Sequence, residues 1–417
     1  MPLSLLSLLG MVVFIGLAWT LSAHKRRFPW HTVLWGLALQ FTFAVLILKT
    51  SFGRAVFNVT GSAIQKLIQF STEGCRFVFG PLADADSMGR LFPEQPLVLA
   101  VLVAGTIIII SALSSLFYHW GILQRVVQAM AWVMRKAMRT SGSETLSAAA
   151  NIFMGQTEAP LLIKPYLSKM TQSELLCMMT GGMATVAGGV ASVYVQMGME
   201  AGHKDIAGHL LTASVLSAPA ALLIAKVMLP ETEVSETAAC APAAVPRTTV
   251  NSIDALCRGT SEGMMLSINV IAMLIAFVAV VAMANFLLTL PQTRLGVAHP
   301  VTLQMFFGWI NAPFAWLMGV PAQDCAAIGQ VLGERIVLNE FIGYASLNKL
   351  QVEPRSYALA TYALCGFANF ASIAIQVGGI GSLAPERRAD LARLGFRAMI
   401  GGLLASYLTA TVAGILL

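Results

Sequence analysis

The chain has 417 residues, of which 57% are hydrophobic and only 11% are charged, and its formal net charge is +6. This composition, with its long uncharged runs, excludes a soluble globular fold and predicts an all-α integral membrane protein. Because the basic residues cluster between the apolar runs, the positive charge indicates cytoplasmic loops and not a nucleic-acid surface. The six cysteines lack metal-ligand spacing, so we expect small buried side chains and no cofactor.

Eight uncharged runs can each cross a hydrocarbon core of about 30 Å, which needs roughly 20 helical residues. They cover residues 1–24, 28–48, 95–118, 175–199, 206–225, 263–293, 356–385 and 398–417. The first run is followed, and not preceded, by basic residues, so we interpret it as an uncleaved span. Placing both termini outside puts Lys25, Arg26, Arg27 and the arginines of 387–397 in the cytoplasm, as the positive-inside rule requires.

The segments between these spans are predicted to be interfacial or flexible. Residues 51–80 and 119–142 mix apolar side chains with Lys and Arg, which is typical of helices on the membrane surface. Counting the uncharged stretch 295–323 as a ninth span would place the arginines of 387–397 outside, so we interpret it as an interfacial or buried segment. The stretch 229–261 is rich in Pro, Ala and Thr and is predicted to be a flexible linker.

Residues 143–170 and 320–348 are too polar and too interrupted to be simple spans. Gly155 and Pro160 divide the first of them into arms of about 12 residues, or roughly 18 Å at helical rise. Such arms reach only the midplane, so we predict two re-entrant hairpins, which are tolerated at that depth only against protein or a wet cavity. The span after the first hairpin runs outward and the span after the second runs inward, so the sequence predicts inverted repeats.

Each predicted hairpin carries a carboxylate within an otherwise apolar segment, Glu158 in the first and Glu340 in the second. Each is followed by a related small-residue motif. The motifs at 182–188 and 366–372 align as Gly-x-Ala-[Thr/Asn]-x-Ala-[Gly/Ser]. An ionisable group at membrane depth is costly and usually lines a polar cavity, so this duplication predicts a substrate site between the two repeats of a transporter.

Polar side chains at the hairpin tips are candidate substrate ligands. Gln156, Thr157 and Glu158 offer a carboxamide, a hydroxyl and a carboxylate in succession, which suits a polar planar group. The alternative is a polar helix cap packed between neighbouring helices. Glu340 with Asn339 forms the second cluster.

Side chains near the second hairpin extend this site. Asn369 and Ser372 are three residues apart and share a helix face, although such residues also simply join membrane helices. Phe367 offers an apolar face for a ring or ordinary packing. Glu334 and Arg335 are predicted to pair with each other in a structural role.

A coupling-ion site is predicted near the first hairpin. The side chains of Asn151 and Thr185, with carbonyls freed at Met154, Thr185 and Val186, supply the oxygen ligands that hard cations prefer. The alternative is ordinary hydrogen bonding at a helix end.

Four segments of the chain closely resemble the concentrative nucleoside transporters. They are SAAANIF at 147–153, GQTEAP at 155–160, LNEF at 338–341 and CGFANFAS at 365–372, and the likeness extends over essentially the whole length. It implies a bacterial inner-membrane protein with eight transmembrane helices and two re-entrant hairpins. It also implies a homotrimer in which each subunit has a scaffold domain and a moving transport domain.

The resemblance also assigns roles to individual residues. Those that would contact the nucleoside are Gln156, Thr157 and Glu158 at the base with Val190 beside them, Glu340, Asn369 and Ser372 at the ribose, and Phe367. Those that would bind sodium are Asn151, Met154, Thr185 and Val186. Where other proteins of the family that this chain resembles have a serine, this chain has Thr185. The threonine keeps the oxygen ligand and adds a methyl group.

The expected organisation is a scaffold in residues 1–142, a first transport repeat in 143–229 and a second in 320–417. Residues 230–319 would hold the linker, the long span 263–293 and an interfacial segment. The predicted function is sodium-coupled import of nucleosides, with uridine-like pyrimidines favoured, by a protein that is not an enzyme. The alternatives are proton coupling through Glu158 or Glu340, an intramembrane hydrolase that uses the same carboxylates, and a channel.

Overall fold

A computed structural model describes residues 2–84, 87–88, 90, 98–236, 249–298 and 300–417. Within these ranges the regular secondary structure is entirely helical, which confirms the predicted fold class. Short 3-10 helices at Gly80–Ala83 and Pro385–Arg387 join longer elements.

The helices fall into two repeats with flanking elements. Before the first repeat lie α1 (Leu3–Thr20), α2 (Trp30–Lys49), α3 (Ser51–Phe79), α4 (Leu99–His119) and α5 (Ile122–Met138). The first repeat contains α6 (Gly142–Asn151), a 3-10 helix (Ala159–Lys169), α7 (Gln172–Ala184), α8 (Gly188–Glu200) and α9 (Ile206–Met228). Next come α10 (Ser252–Arg294) and α11 (Leu303–Leu317). The second repeat contains α12 (Cys325–Val337), α13 (Glu340–Leu347), α14 (Pro354–Leu364), α15 (Phe370–Leu383) and α16 (Arg388–Leu416).

Among the described residues, six helical segments are long and apolar enough to cross a membrane by length and composition. They are Leu3–Thr20, Trp30–Lys49, Gln172–Glu200, Ile206–Met228, Ser252–Arg294 and Pro385–Leu416. The remaining predicted spans correspond to α4, whose chain bends by 77° into α5, and to the broken pair α14 and α15. Over the described residues, each predicted span therefore coincides with a helix or a pair of helices; residues 95–97 of the third run lie outside them.

Both repeats have the same order of hairpin, broken helix and long helix. In the first, α6 and the 3-10 helix form the hairpin, and α7 and α8 form the broken helix. In the second, α12 and α13 form the hairpin, and α14 and α15 form the broken helix. The long helices pack against each other, and each also packs against the first half of the other repeat's broken helix. This reciprocal packing is what two interlocked repeats require.

Two predicted spans are interrupted in their middle, so residues 175–199 and 356–385 are not continuous helices. Thr185 is extended, and Gly366 has a φ of +143°, a conformation that other residues rarely adopt. A Cβ on Gly366 would lie 2.6 Å from the carbonyl oxygen of Met183. The two interruptions therefore pack directly against each other, which only a residue without a side chain permits.

The predicted linker 229–261 is wrong at its C-terminal end, where the chain is already helical. Helix α10 begins at Ser252, with Asn251 as its N-cap. Leu229 and Glu231 are held by hydrogen bonds from Ser173 and Thr171 at the start of α7. Residues 237–248 lie outside the described part of the chain.

Within the predicted interfacial segment 295–323, α11 packs along α12, the first arm of the second hairpin. Gly329 and Gly333 of α12 and Gly308 of α11 face each other, and a Cβ on Gly329 would lie 2.7 Å from the carbonyl oxygen of Gly308. Glycines on facing surfaces let two membrane helices approach closely. The segment is thus a helix that supports the hairpin on one side.

Candidate functional site

The tip of the first hairpin is held against the break between α7 and α8. The amide of Gly188 donates to the carbonyl of Phe153 at 3.3 Å. A Cβ on Gly155 would lie 3.5 Å from that of Ala187. A Cβ on Gly182 would lie 2.9 Å from the Cβ of Gln156, closer than a real side chain allows. The glycines therefore let the hairpin tip sit directly on the break.

Gln156 connects the first hairpin to the second repeat. Its Nε2 donates to Ser372 Oγ at 3.4 Å, and its Oε1 accepts from Gln376 Nε2 at 3.1 Å. Ser372 and Gln376 are one helical turn apart on α15, so both lie on the face that the hairpin covers. These bonds bring residues from the two predicted clusters into one site.

Glu340 is the centre of the second cluster, at the first position of α13, and it is 6% exposed. Its Oε1 accepts from the hydroxyl of Tyr194 at 2.9 Å, and its Oε2 accepts from Asn369 Nδ2 at 2.9 Å. Tyr194 belongs to the first repeat and Asn369 to the second. Each carboxylate oxygen thus has one donor and keeps a lone pair for another, since a carboxylate offers about four acceptor sites.

The orientation of Asn369 follows from its position as the N-cap of α15. Its Oδ1 accepts from the amide of Ser372 at 2.9 Å, so its Nδ2 must point away from the helix and towards Glu340. Asn339 likewise caps α13 by accepting from the amide of Ile342 at 3.1 Å. Both asparagines are therefore fixed by helix starts as well as by the site.

Four other predicted contact residues differ in their surroundings. Glu158 is exposed, and its Oε2 accepts from the amide of Gly155 at 3.2 Å. Glu158 accepts no hydrogen bond from the second repeat within the described ranges, so its sharing of a pocket with Glu340 stays a prediction. Thr157 lies against α15 at Gly379. Val190 is buried in the core, and Phe367 is half-buried at its edge.

Two of the predicted sodium ligands, Asn151 and Thr185, lie beside the same residue of α7, Gly181. Asn151, at the end of α6, is 1% exposed, and neither polar atom of its amide has a hydrogen-bond partner in the described structure. Its Nδ2 lies beside Gly181 of α7, where a Cβ would be 3.3 Å away. Thr185 Oγ1 donates to the Gly181 carbonyl at 2.8 Å, which leaves its lone pairs free. A buried amide oxygen without a partner is costly unless a ligand satisfies it, and the oxygens of Asn151 and Thr185 are ligands of the type that a hard cation prefers.

The other end of α6 is fixed by a buried ion pair. Lys226 Nζ lies 2.9 Å from Glu144 Oε2 and 3.4 Å from Glu231 Oε2, and it donates to Ser173 Oγ at 3.0 Å. Glu144 also completes a capping box with Ser141 at the start of α6. The helix that ends at Asn151 is therefore anchored at its first turn.

The predicted pair of Glu334 and Arg335 is wrong. Arg335 is fully buried and donates to the carbonyl of Ala363 and, at 3.0 Å, to Ser406 Oγ. Glu334 instead accepts from Gln330 at 3.3 Å. Adjacent residues on a helix point in different directions, so they do not face each other.

Tyr194 and Gln376 were missed by the reading of the sequence. Each lies four residues after a predicted contact residue, Val190 and Ser372 respectively. In a helix this spacing places side chains on one face, so the distance from Val190 and Ser372 would have identified Tyr194 and Gln376 as candidates.

Comparison with known protein families and structures gives full-length matches. The sequence matches "Na+ dependent nucleoside transporter N-terminus" over residues 9–82, "Nucleoside recognition" over 100–201 and "Na+ dependent nucleoside transporter C-terminus" over 209–414. An uncharacterized transporter of Haemophilus influenzae is 41% identical over 419 residues, covering 98% of this chain and 97% of its own. Sodium/nucleoside cotransporter 1 of Rattus norvegicus is 37% identical over 435 residues, covering 100% of this chain and 64% of that longer protein.

Solved structures agree with the sequence comparison. CNTnw in an inward-facing substrate-bound state has a TM-score of 0.91 at 37% identity, covering 99% of this chain and 97% of that one. A CNTnw variant in an outward-facing state has a TM-score of 0.90 at 36% identity, with the same coverage. Together with the repeated hairpins and broken helices, these matches show that the chain belongs to the sodium-dependent concentrative nucleoside transporter family, whose members are transporters and not enzymes.

Proposed function

We propose that this protein imports nucleosides, with uridine-like pyrimidines favoured, by symport with sodium in an alternating-access cycle. The observation that carries the proposal is that side chains of the two repeats form hydrogen bonds with each other. Gln156 of the first hairpin bonds to Ser372, and Glu340 of the second bonds to Tyr194. Polar groups from both halves thus converge where the hairpin tips meet the broken helices, as a substrate site between repeats requires.

The chemistry of the two sides suits the two parts of a nucleoside. Glu340 and Asn369, with Ser372, offer charged and polar groups for ribose hydroxyls, since a carboxylate accepts from two such donors. Gln156, Thr157 and Glu158 offer a donor and acceptors for the edge of the base. Val190 and Phe367 supply apolar surface for its faces.

Sodium is proposed to bind between Asn151, Thr185 and the carbonyls of Met154 and Val186. An ion there would be ligated by the unpartnered Oδ1 of Asn151, though it leaves the Nδ2 donor unmet, and it would hold the hairpin tip against the break. Because Gln156 lies on that same tip, ion binding and nucleoside binding would stabilise one conformation. Linkage then requires that each ligand raise the affinity for the other by the same factor.

The proposed assembly is a homotrimer in the bacterial inner membrane with both termini outside. Residues 143–229 and 320–417 would form the moving transport domain of each subunit. Residues 1–142 and 230–319 would form the scaffold. Support for this division comes from α10, which packs along α4 and exposes large apolar side chains such as Ile275 and Phe286 that suit lipid or a neighbouring subunit.

Uptake by purified protein in liposomes tests the proposal. Radiolabelled uridine should accumulate above the external concentration under an inward sodium gradient at constant pH, and it should be recovered intact. Accumulation driven by a pH gradient alone would instead indicate proton coupling. A hydrolysed product would indicate an enzyme, and uptake without saturation or uphill accumulation would indicate a channel.

A further inference from the structure

We propose that Gln376 is a positioning residue that fixes which end of the Gln156 carboxamide faces the substrate. The first hairpin would then offer the base a hydrogen-bond donor and favour bases with an oxo group over those with an amino group at the same ring position. This inference rests on the proposed function, in which Gln156 contacts the nucleobase.

Gln376 lies fully buried between the two repeats. Its Nε2 donates to the carbonyl of Met179 in α7 at 3.0 Å and to Gln156 Oε1 at 3.1 Å. Its Oε1 has no hydrogen-bond partner among the described residues. A buried amide that leaves its oxygen unmet is costlier than an apolar side chain of the same size. What this side chain contributes to the packing of the two repeats is therefore its NH₂ group, which makes both of its hydrogen bonds.

The orientation of both amides follows from one backbone carbonyl. An amide can be turned by 180° with little change in shape, so its orientation must be argued from its partners. The carbonyl of Met179 can only accept, which requires the NH₂ of Gln376 to face it. The same NH₂ group faces Gln156, so Gln156 must present its oxygen there. The NH₂ of Gln156 is thereby directed to the opposite side, towards Ser372.

The packing leaves little room for another arrangement. A Cβ on Gly182 would lie 2.8 Å from Gln376 Nε2 and 2.9 Å from the Cβ of Gln156, so this glycine permits the contact between them. Gly379, one turn further along α15, fits against Thr157 in the same way. The relative positions of the two glutamines are therefore set by the backbone of α7 and α15.

Recognition of the base follows from the donor that remains. The bond from Gln156 Nε2 to Ser372 is 3.4 Å long and uses one of two hydrogens, so the other is available for a ligand. An oxo oxygen accepts from it. An amino group would bring two donors together and leave both unmet, which is how polar sites reject an analogue.

The test compares nucleosides that differ by an oxo and an amino group. Initial rates and competition constants for uridine against cytidine, and for inosine against adenosine, are measured in proteoliposomes under a sodium gradient. Gln376→Met removes the donor that orients Gln156, so the oxo preference should fall by roughly five- to a hundredfold. In Gln376→Glu, the new carboxylate accepts from the NH₂ of Gln156 and so turns the oxygen of Gln156 towards the substrate. The preference should then shift to the nucleosides with an amino group, cytidine and adenosine.

Gln40→Met is the matched control, because Gln40 is also fully buried. It donates to a helix carbonyl, that of Leu216, at 3.0 Å, and its oxygen also lacks a partner in the described part of the chain. This variant should keep the wild-type preference for oxo over amino nucleosides. If Gln376→Met does not fold, Gly182→Ala, which pushes the two glutamines apart, should lower the oxo preference in its place.

Two results would overturn the inference. One is an active Gln376→Met protein whose preference for oxo over amino nucleosides equals that of the wild type. The other is a shift of equal size when Gln376→Met is added to Gln156→Met, since a residue that acts through Gln156 has no further effect once that side chain is gone. Failure of the wild-type protein to accumulate any nucleoside would instead contradict the proposed function.

Discussion

Tyr194→Phe is the substitution that tests most directly whether Glu340 is held ready for the substrate. It removes the hydroxyl that donates to Glu340 Oε1 at 2.9 Å and keeps the ring that stacks on Tyr344 at 4.3 Å between centroids. With that donor gone, Asn369 is the one side chain among the described residues that still donates to the carboxylate. We expect it to be less well oriented and nucleoside affinity to fall.

The size of the effect can be worked from the lost contact. A hydrogen bond to a charged group contributes about 1.5–3 kcal/mol. A bond that forms in both the free and the bound protein cancels in the affinity, except for the part that depends on how it orients the carboxylate. Taking half gives about 0.7–1.5 kcal/mol, or a roughly 3- to 12-fold rise in Kd.

Calorimetric titration of the purified protein with uridine at saturating sodium measures this change. Tyr344→Phe is the matched control, because Tyr344 is buried beside Tyr194 but donates to the carbonyl of Thr361 at 2.9 Å and not to Glu340. Both variants lose one buried hydroxyl and should melt at similar temperatures. An equal loss of affinity in both would refute the reasoning, because it would show a general effect of packing.

Three further changes test other parts of the site. Glu340→Ala should abolish uridine uptake while leaving the assembly intact by size exclusion, and normal transport would contradict its role. Thr185→Val removes a side-chain oxygen and should raise the sodium concentration for half-maximal uptake about tenfold, taking about 1.5 kcal/mol for a contact to a charge, whereas Thr185→Ser should not. Lys226→Met leaves Glu144 buried without its cation and should cost about 3–5 kcal/mol of stability. Thermal melting in detergent measures that loss against the exposed Lys204→Met, and equal melting temperatures would argue against it.

The elements that sequence patterns define locally were predictable. The lengths of the uncharged runs located the helices, and the glycine and proline near the middle of residues 143–170 located the first hairpin. The duplicated motifs at 182–188 and 366–372 fall on the two helix breaks. Each of these features depends on residues close together in the chain, which is why the sequence alone reveals them.

The partners of the site residues depend on contacts between distant segments and were not predictable in this way. Arg335 lies next to Glu334 in sequence, but its partners are Ala363 and Ser406. The predicted span 206–225 stops before Lys226, yet α9 continues to Met228 and buries Lys226 against Glu144. A charge can remain inside such a helix when a partner from another element reaches it.

The hydrogen bonds between the two repeats also limit how the protein would move. The first hairpin is tied to α15 through Gln156, and the second is tied to α8 through Glu340 and Tyr194. The breaks of the two repeats pack against each other at Gly366. A movement of either repeat alone would break buried polar contacts without replacing them, at a cost of about 1–3 kcal/mol for each unmet group. In the proposed alternating-access cycle, both repeats would therefore move together past α4 and α10, and the hairpin tips would open only where a nucleoside or an ion replaces the lost bonds.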